Sequence, residues 1–211
     1  MQFGNKVAWF GSKKSTSFGG VRLKHRELFL DKEAAKASME TVEQAFSTVQ
    51  RTIGWLRHPD AKVIKDAMQL YFKSGTDKIG RIQPVLELVQ TGMQSGKLSF
   101  KTDNTSTKRF TDAFNVDAGD VPYIEGYVRN GANNTKGDIH VTRNYIMNNR
   151  FQAVRVFIHE ATHRFASTAD FGEQGYMHAD GSDFRAPGIT PDQCLNNADS
   201  YAYFCMAVGY R

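Results

Sequence analysis

Phe157-Ile158-His159-Glu160-Ala161-Thr162-His163-Arg164-Phe165 is the stretch around which the chain is organised. It contains His-Glu-x-x-His. On an α-helix, positions i and i+4 lie one above the other on the same face. His159 and His163 can therefore offer two imidazoles to one zinc ion, the geometry that such ions accept from nitrogen ligands. Glu160 then flanks the metal, where a carboxylate can take a proton from water and pass it to a leaving amine. The surroundings favour a helix. No Gly or Pro occurs between Asn149 and Ala166. Val154, Phe157, Ile158, Ala161 and Phe165 follow the spacing of one buried face, and Val156 adds apolar surface beside the histidines. This pattern predicts a helix wedged between two layers, with Asn148 or Asn149 capping its start.

The other residues set the frame. A chain of 211 residues, 40% apolar and 23% charged, has an ordinary globular composition and can bury a sizeable core. No stretch approaches the length of a membrane span, and the N-terminus has no apolar signal region. The expectation is an intracellular chain, a mature form or one exported by a non-classical route. Cys194 and Cys205 make no disulfide framework and read as two free thiols. The net charge of +5 lies in residues 1–30, which hold six Lys/Arg against Glu27 alone. This basic arm is read as a solvated terminus, with nucleic-acid contact as the less favoured reading. From His159 onward three Arg face seven acids, a balance suited to basic peptide side chains.

In chain order, Val7–Phe10 and Val21–Leu23 alternate weakly within the arm. Three helices are predicted over 31–57, 60–73 and 78–94. Their apolar stripes include Val42, Val49, Val63, Ile64, Ile82 and Val89, and Pro84 marks a late start or a kink. They form a helical lobe over 31–95. Residues 96–211 supply a small sheet, the metal helix and a C-terminal helix. Strands are expected at Leu98–Lys101, Val121–Arg129 and Asp138–Thr142. The last is placed to receive substrate as an edge strand, with His140 half-buried in it. The fold class is α+β, zincin-like and two-lobed, in a single catalytic domain from 31 to 211.

A catalytic zinc takes a third protein ligand and keeps one position open. A histidine-rich extension is absent, since the sixth residue after His163 is Ala169. Glu173 is the last glutamate, too near His163 to serve as a distant third ligand. Asp170, after the short turn Ala166–Ala169, is the preferred ligand, with His178 as an outsider.

Ser167-Thr168-Ala169-Asp170 resembles the Gly-Thr-x-Asp stretch of the aspzincins, the deuterolysin and peptidyl-Lys metalloendopeptidase group. Asn196-Asn197-Ala198-Asp199-Ser200 resembles the Asn-Ala-Asp stretch on the last helix of the lysine-specific branch. The resemblance covers residues 138–206. It implies one Zn²⁺ per chain held by His159, His163 and Asp170, with Glu160 as general base in peptide hydrolysis. Where the secreted branch has an oxyanion-supporting Tyr, this chain has Glu173, and Tyr176 is the nearest substitute. Where the lysine-specific branch has a second acid, it has Ala202. Asp199 then either favours a basic substrate side chain or supports a zinc histidine. The expected activity is that of a zinc endopeptidase on protein or peptide substrates, fitting a toxin or effector. The alternatives are a hydrolase of cell-wall peptides and a structural zinc protein that binds nucleic acid through the basic arm.

Overall fold

The computed structural model describes residues 7–10, 13–18, 21–25, 32–95, 98–103, 125–128 and 139–211. The fold is α+β. Strands β1 (Val7–Phe10), β2 (Lys13–Phe18) and β3 (Val21–His25) precede helices α1 (Lys32–Trp55), α2 (Lys62–Phe72) and α3 (Ile79–Gln94). Strands β4 (Leu98–Asp103), β5 (Gly126–Val128) and β6 (Ile139–Thr142) follow, then α4 (Arg143–Asn148) and α5 (Arg150–Ala166). The chain closes with α6 (Pro191–Cys194) and α7 (Ala198–Gly209).

The six strands form one sheet in the order β1-β2-β3-β4-β6-β5. The β1–β2 and β2–β3 pairs are antiparallel, β4 runs parallel to β3 and β6, and β5 returns antiparallel to β6. The stretch expected as a solvated arm thus contributes three strands to the main sheet. Its weak alternation is the trace of pairing, which local charge obscured. A second expectation is corrected by the sheet order. The strand at 139–142 is not an edge, because β4 and β5 occupy both its sides. All four of its residues are buried, so its apparent alternation does not mark a solvated face. Among the described strands β5 pairs with β6 and ends the sheet on this side, as β1 does on the other. Residues 121–124 and 129 of the strand expected there, and residue 138 of the next, lie outside the described residues.

One hydrophobic cluster joins α1–α3 to α5 and α7, including Val49, Ile64, Leu86, Phe157 and Phe204. The stretches 31–95 and 96–211 therefore share a core. Helix α7 is apolar nearly all round and lies buried, as such a helix must. Phe72 of α2 meets Tyr201 and Phe204 edge to face, with ring centroids 5.1 and 5.2 Å away. Helix α1 turns small hydroxyl residues inward. Ser38, Thr41 and Thr52 donate to carbonyls four residues back at 2.7–2.8 Å, which satisfies them locally. On α2, Val63 was expected inward but is exposed. Pro84 lies inside α3.

Candidate metal centre

Helix α5 starts where Asn149 accepts a hydrogen bond from the Gln152 N–H, the expected cap. Residues 153–163 are all buried, including Arg155, His159, Glu160 and His163. A helix carrying four ionisable groups into the interior must satisfy each of them, and their partners define the site. At its far end Gly92 of α3 lies against Phe165. A Cβ on Gly92 would come within 2.2 Å of that ring, so glycine sets how closely the two helices approach.

The helix ends at Ser167, whose backbone is left-handed at φ 56° and ψ 34°. An αL position suits glycine at no steric cost, and here a serine occupies it. After the turn, Ala169 forms an isolated parallel bridge with Asn197. The Ala169 N–H donates to Asn196 O at 2.8 Å, and the Ala198 N–H donates to Ala169 O at 3.1 Å. This pins the residue before Asp170 to the segment that opens α7.

His159 Nε2 and His163 Nε2 lie 3.0 Å apart. Asp170 Oδ1 is 3.3 Å from the first and Oδ2 3.2 Å from the second. These are the three residues brought together among those named as ligands. His178 is exposed and outside the group. The other ring nitrogens are fixed. His163 Nδ1 donates to the Thr168 carbonyl at 2.8 Å, a partner that can only accept. His159 Nδ1 lies 2.8 Å from Asp199 Oδ1. With both Nδ1 atoms donating, neutral rings turn two Nε2 lone pairs and a carboxylate toward a common point. Three such atoms this close could hold a metal ion among them. The donor set, two imidazoles and one carboxylate, fits a zinc ion.

The electrostatics point the same way. Burial lowers the proton affinity of His159, but hydrogen bonds from it to Asp170 and Asp199, and the charges there, outweigh burial and lift its pKa to about 10. A proton takes the place that a metal cation can take. Burial pushes the Asp170 pKa up, but the two histidines outweigh it and the net direction is down. Glu160 sits with Oε1 4.0 Å from His159 Nε2. Burial raises its pKa, against the opposing pull of His159 and His163. A raised carboxylate pKa suits a group that accepts and returns a proton.

Strand β5 passes directly beside Glu160. A Cβ on Gly126 would lie 2.4 Å from Val156 Cγ1, 2.7 Å from His140 O and 3.5 Å from Glu160 Cγ. Only glycine lets this strand sit so near helix α5. His140 is buried on β6 with its ring 4.0 Å from that of Tyr127, and does not join the ligand group.

The segment carrying Tyr176 is held from α7 and the residue before it. Asn197 Nδ2 donates to Gly175 O at 2.8 Å, and Asp199 Oδ2 accepts from the Met177 N–H at 2.9 Å. These bonds flank Tyr176, whose ring runs nearly parallel to that of His159 with centroids 6.3 Å apart. Burial, then the charges of Asp170, Asp199, Glu160 and Glu173, push its phenol pKa upward, so it remains a hydrogen-bond donor. Glu173 itself is exposed and paired with Arg185 at 2.5 Å.

Asp199 is 2% exposed, and its oxygens are used by His159, Met177 and Arg155. Of the two roles open to it, supporting a histidine and reading a substrate side chain, the geometry is that of the first. Sequence reasoning missed Arg155, Glu125 and Thr168. The signal for Arg155 was present: it continues the 159/163 stripe one turn earlier, a cation on the buried stretch 153–163. Cys194 and Cys205 are free and buried. No helix among the described residues is long and apolar enough to cross a membrane.

Compared with known proteins, the chain matches no protein-family profile, and no curated protein matches it in sequence.

Proposed function

We propose that this protein is a zinc-dependent endopeptidase with a zincin-like, two-lobed arrangement and an aspzincin-type ligand set. The observation that carries the reading is the convergence of His159 Nε2, His163 Nε2 and an Asp170 oxygen within 4.8 Å of one another, with both Nδ1 atoms committed elsewhere. His159, His163 and Asp170 hold the ion. When bound, zinc supplies Lewis acidity toward water and a peptide carbonyl.

The chain's own residues do the rest. Glu160 accepts a proton from the attacking water at its carboxylate and returns it to the leaving amine nitrogen. The Tyr176 O–H donates toward the carbonyl oxygen as negative charge develops there. An extended peptide bound beside strand β5, which passes next to Glu160, would lie at the proposed site. Water, rather than a side chain, is the nucleophile, so no covalent intermediate with the enzyme forms. The substrate class is an unstructured or extended segment of protein, as an effector or toxin protease would meet.

The test sets bound metal beside cleavage of casein for the wild type and Glu160→Gln. The expected result is about one zinc per chain in both, with casein cut only by the wild type. Zinc lost from the Glu160→Gln protein would remove that residue's role. A wild type without metal would end the zinc reading.

A further inference from the structure

Arg155 is buried on α5 and takes no part in the chemistry described above. Its guanidinium makes three polar contacts and one cation–π contact. Nε donates to Gln152 Oε1 at 2.6 Å, and Nη1 donates to Asp199 Oδ1 at 3.2 Å. Nη2 donates to Glu125 Oε2. Its Cζ lies over the Tyr203 ring, 5.1 Å from the centroid.

Two of these partners lead to the proposed site by separate routes. Asp199 Oδ1 is shared between Arg155 Nη1 and His159 Nδ1, so the cation and the imidazole approach the same oxygen. Glu125 immediately precedes β5. It also accepts from the Tyr145 hydroxyl at 2.7 Å, and its carbonyl accepts the Thr142 N–H at 3.0 Å. One planar fork thus joins the metal helix, the C-terminal helix and the start of the edge strand.

A buried carboxylate needs a fixed countercharge, and a rigid fork with five donors supplies one at low entropic cost. A lysine has a single point of charge and cannot meet Asp199, Glu125 and Gln152 in one plane.

We infer that Arg155 is a positioning residue for the metal centre, acting through Asp199 to hold the His159 ring with Nε2 directed at the ion. The inference rests on the zinc reading above. It identifies the cation that lets a buried Asp199 serve as the outer partner of a metal-bound histidine, and it separates that route from the strut to Glu125.

The test is zinc affinity, measured by chelator competition on chelator-stripped full-length protein. The set is wild type, Arg155→Met, Arg155→Lys, Asp199→Asn, Glu125→Gln and the Arg155→Met/Asp199→Asn pair. Circular dichroism and melting of each zinc-free protein report folding. Losing the outer partner of a metal histidine costs roughly 10–100-fold in affinity. Arg155→Met and Asp199→Asn should each weaken zinc by about tenfold or more, and the double variant should be no weaker than Asp199→Asn within about twofold. Arg155→Lys should fall between wild type and Arg155→Met. Glu125→Gln should leave zinc affinity within about twofold of wild type.

Unchanged affinity in a folded Arg155→Met protein overturns the inference. So does a full further loss when Arg155→Met is added to Asp199→Asn, since the two residues would then act independently. A Glu125→Gln loss equal to that of Arg155→Met overturns it as well. If Arg155→Met does not fold, Arg155→Lys decides: wild-type affinity there rejects the positioning role. A wild type that binds no zinc fails differently, removing the zinc reading and the inference with it.

Discussion

His159 Nε2 and His163 Nε2 face each other at 3.0 Å while the opposite nitrogen of each ring is tied to Asp199 and to the Thr168 carbonyl. In the metal-free protein this arrangement holds a proton on His159, whose pKa rises to about 10 although burial alone would lower it. Zinc must displace that proton. We expect close to one proton released per zinc bound near neutral pH, and an affinity that rises as pH increases through neutrality. Calorimetry in buffers of different ionisation enthalpy measures the release. The stability of the metal-free protein carries the matching sign. A folded-state pKa raised above the ordinary 6.5 contributes stability that is complete below pH 6.5 and is lost as pH climbs toward 10. Proton-independent zinc binding would contradict this account.

Tyr176 keeps its ring beside His159 when changed to Phe, and loses only the hydroxyl. Removing one donor to a developing oxyanion typically costs about 10²–10³ in kcat. Tyr176→Phe should show a loss of that order with zinc content unchanged and KM little altered. The raised phenol pKa also predicts no alkaline fall in rate from this group in the ordinary range below 10. Steady-state kinetics on a short peptide would check both, and wild-type kcat would remove Tyr176 from the site.

Gly126 lies where a methyl group would meet Val156 Cγ1 at 2.4 Å and the His140 carbonyl at 2.7 Å. The carbonyl belongs to the paired strand and cannot rotate away. Gly126→Ala should destabilise by about 1–3 kcal/mol, the usual cost of overpacking. It should also raise KM, because β5 must shift from its place beside Glu160. Thermal melts and kinetics test this, and a variant melting with the wild type would show that the strand has room to spare.

Ser167 holds a left-handed backbone at φ 56°. An L-residue pays roughly 1–2 kcal/mol for that conformation, and glycine costs more chain entropy on folding. The balance for Ser167→Gly is a gain of about 0.5–1 kcal/mol, read as a higher denaturant midpoint with unchanged zinc affinity. A lower midpoint would mean that the Ser167 side chain contributes contacts that outweigh its strain.

Much of the site was legible because its order is local. The i, i+4 spacing of His159 and His163 is fixed by helical pitch, and the apolar stripe that buries the helix repeats with the same period. Asp170 follows within one turn, so chain connectivity nearly places it. Helices α1, α2 and α3 lie close to their expected positions for the same reason. The strands were harder. Pairing partners are distant in sequence, and the joining of β3 to β4 in parallel leaves no mark in either stretch.

By itself, then, the sequence determined the α+β character, the helix that carries His159, Glu160 and His163, and the short return to Asp170. These depend on pitch, capping and turn length, which act over a few residues. Only the tertiary structure decided that Asp199 faces His159, that Arg155 links it to Glu125, and that β6 lies between β4 and β5. Each joins elements whose separation along the chain carries no signal, and each is set by which faces must be buried together and which buried charges must be paired.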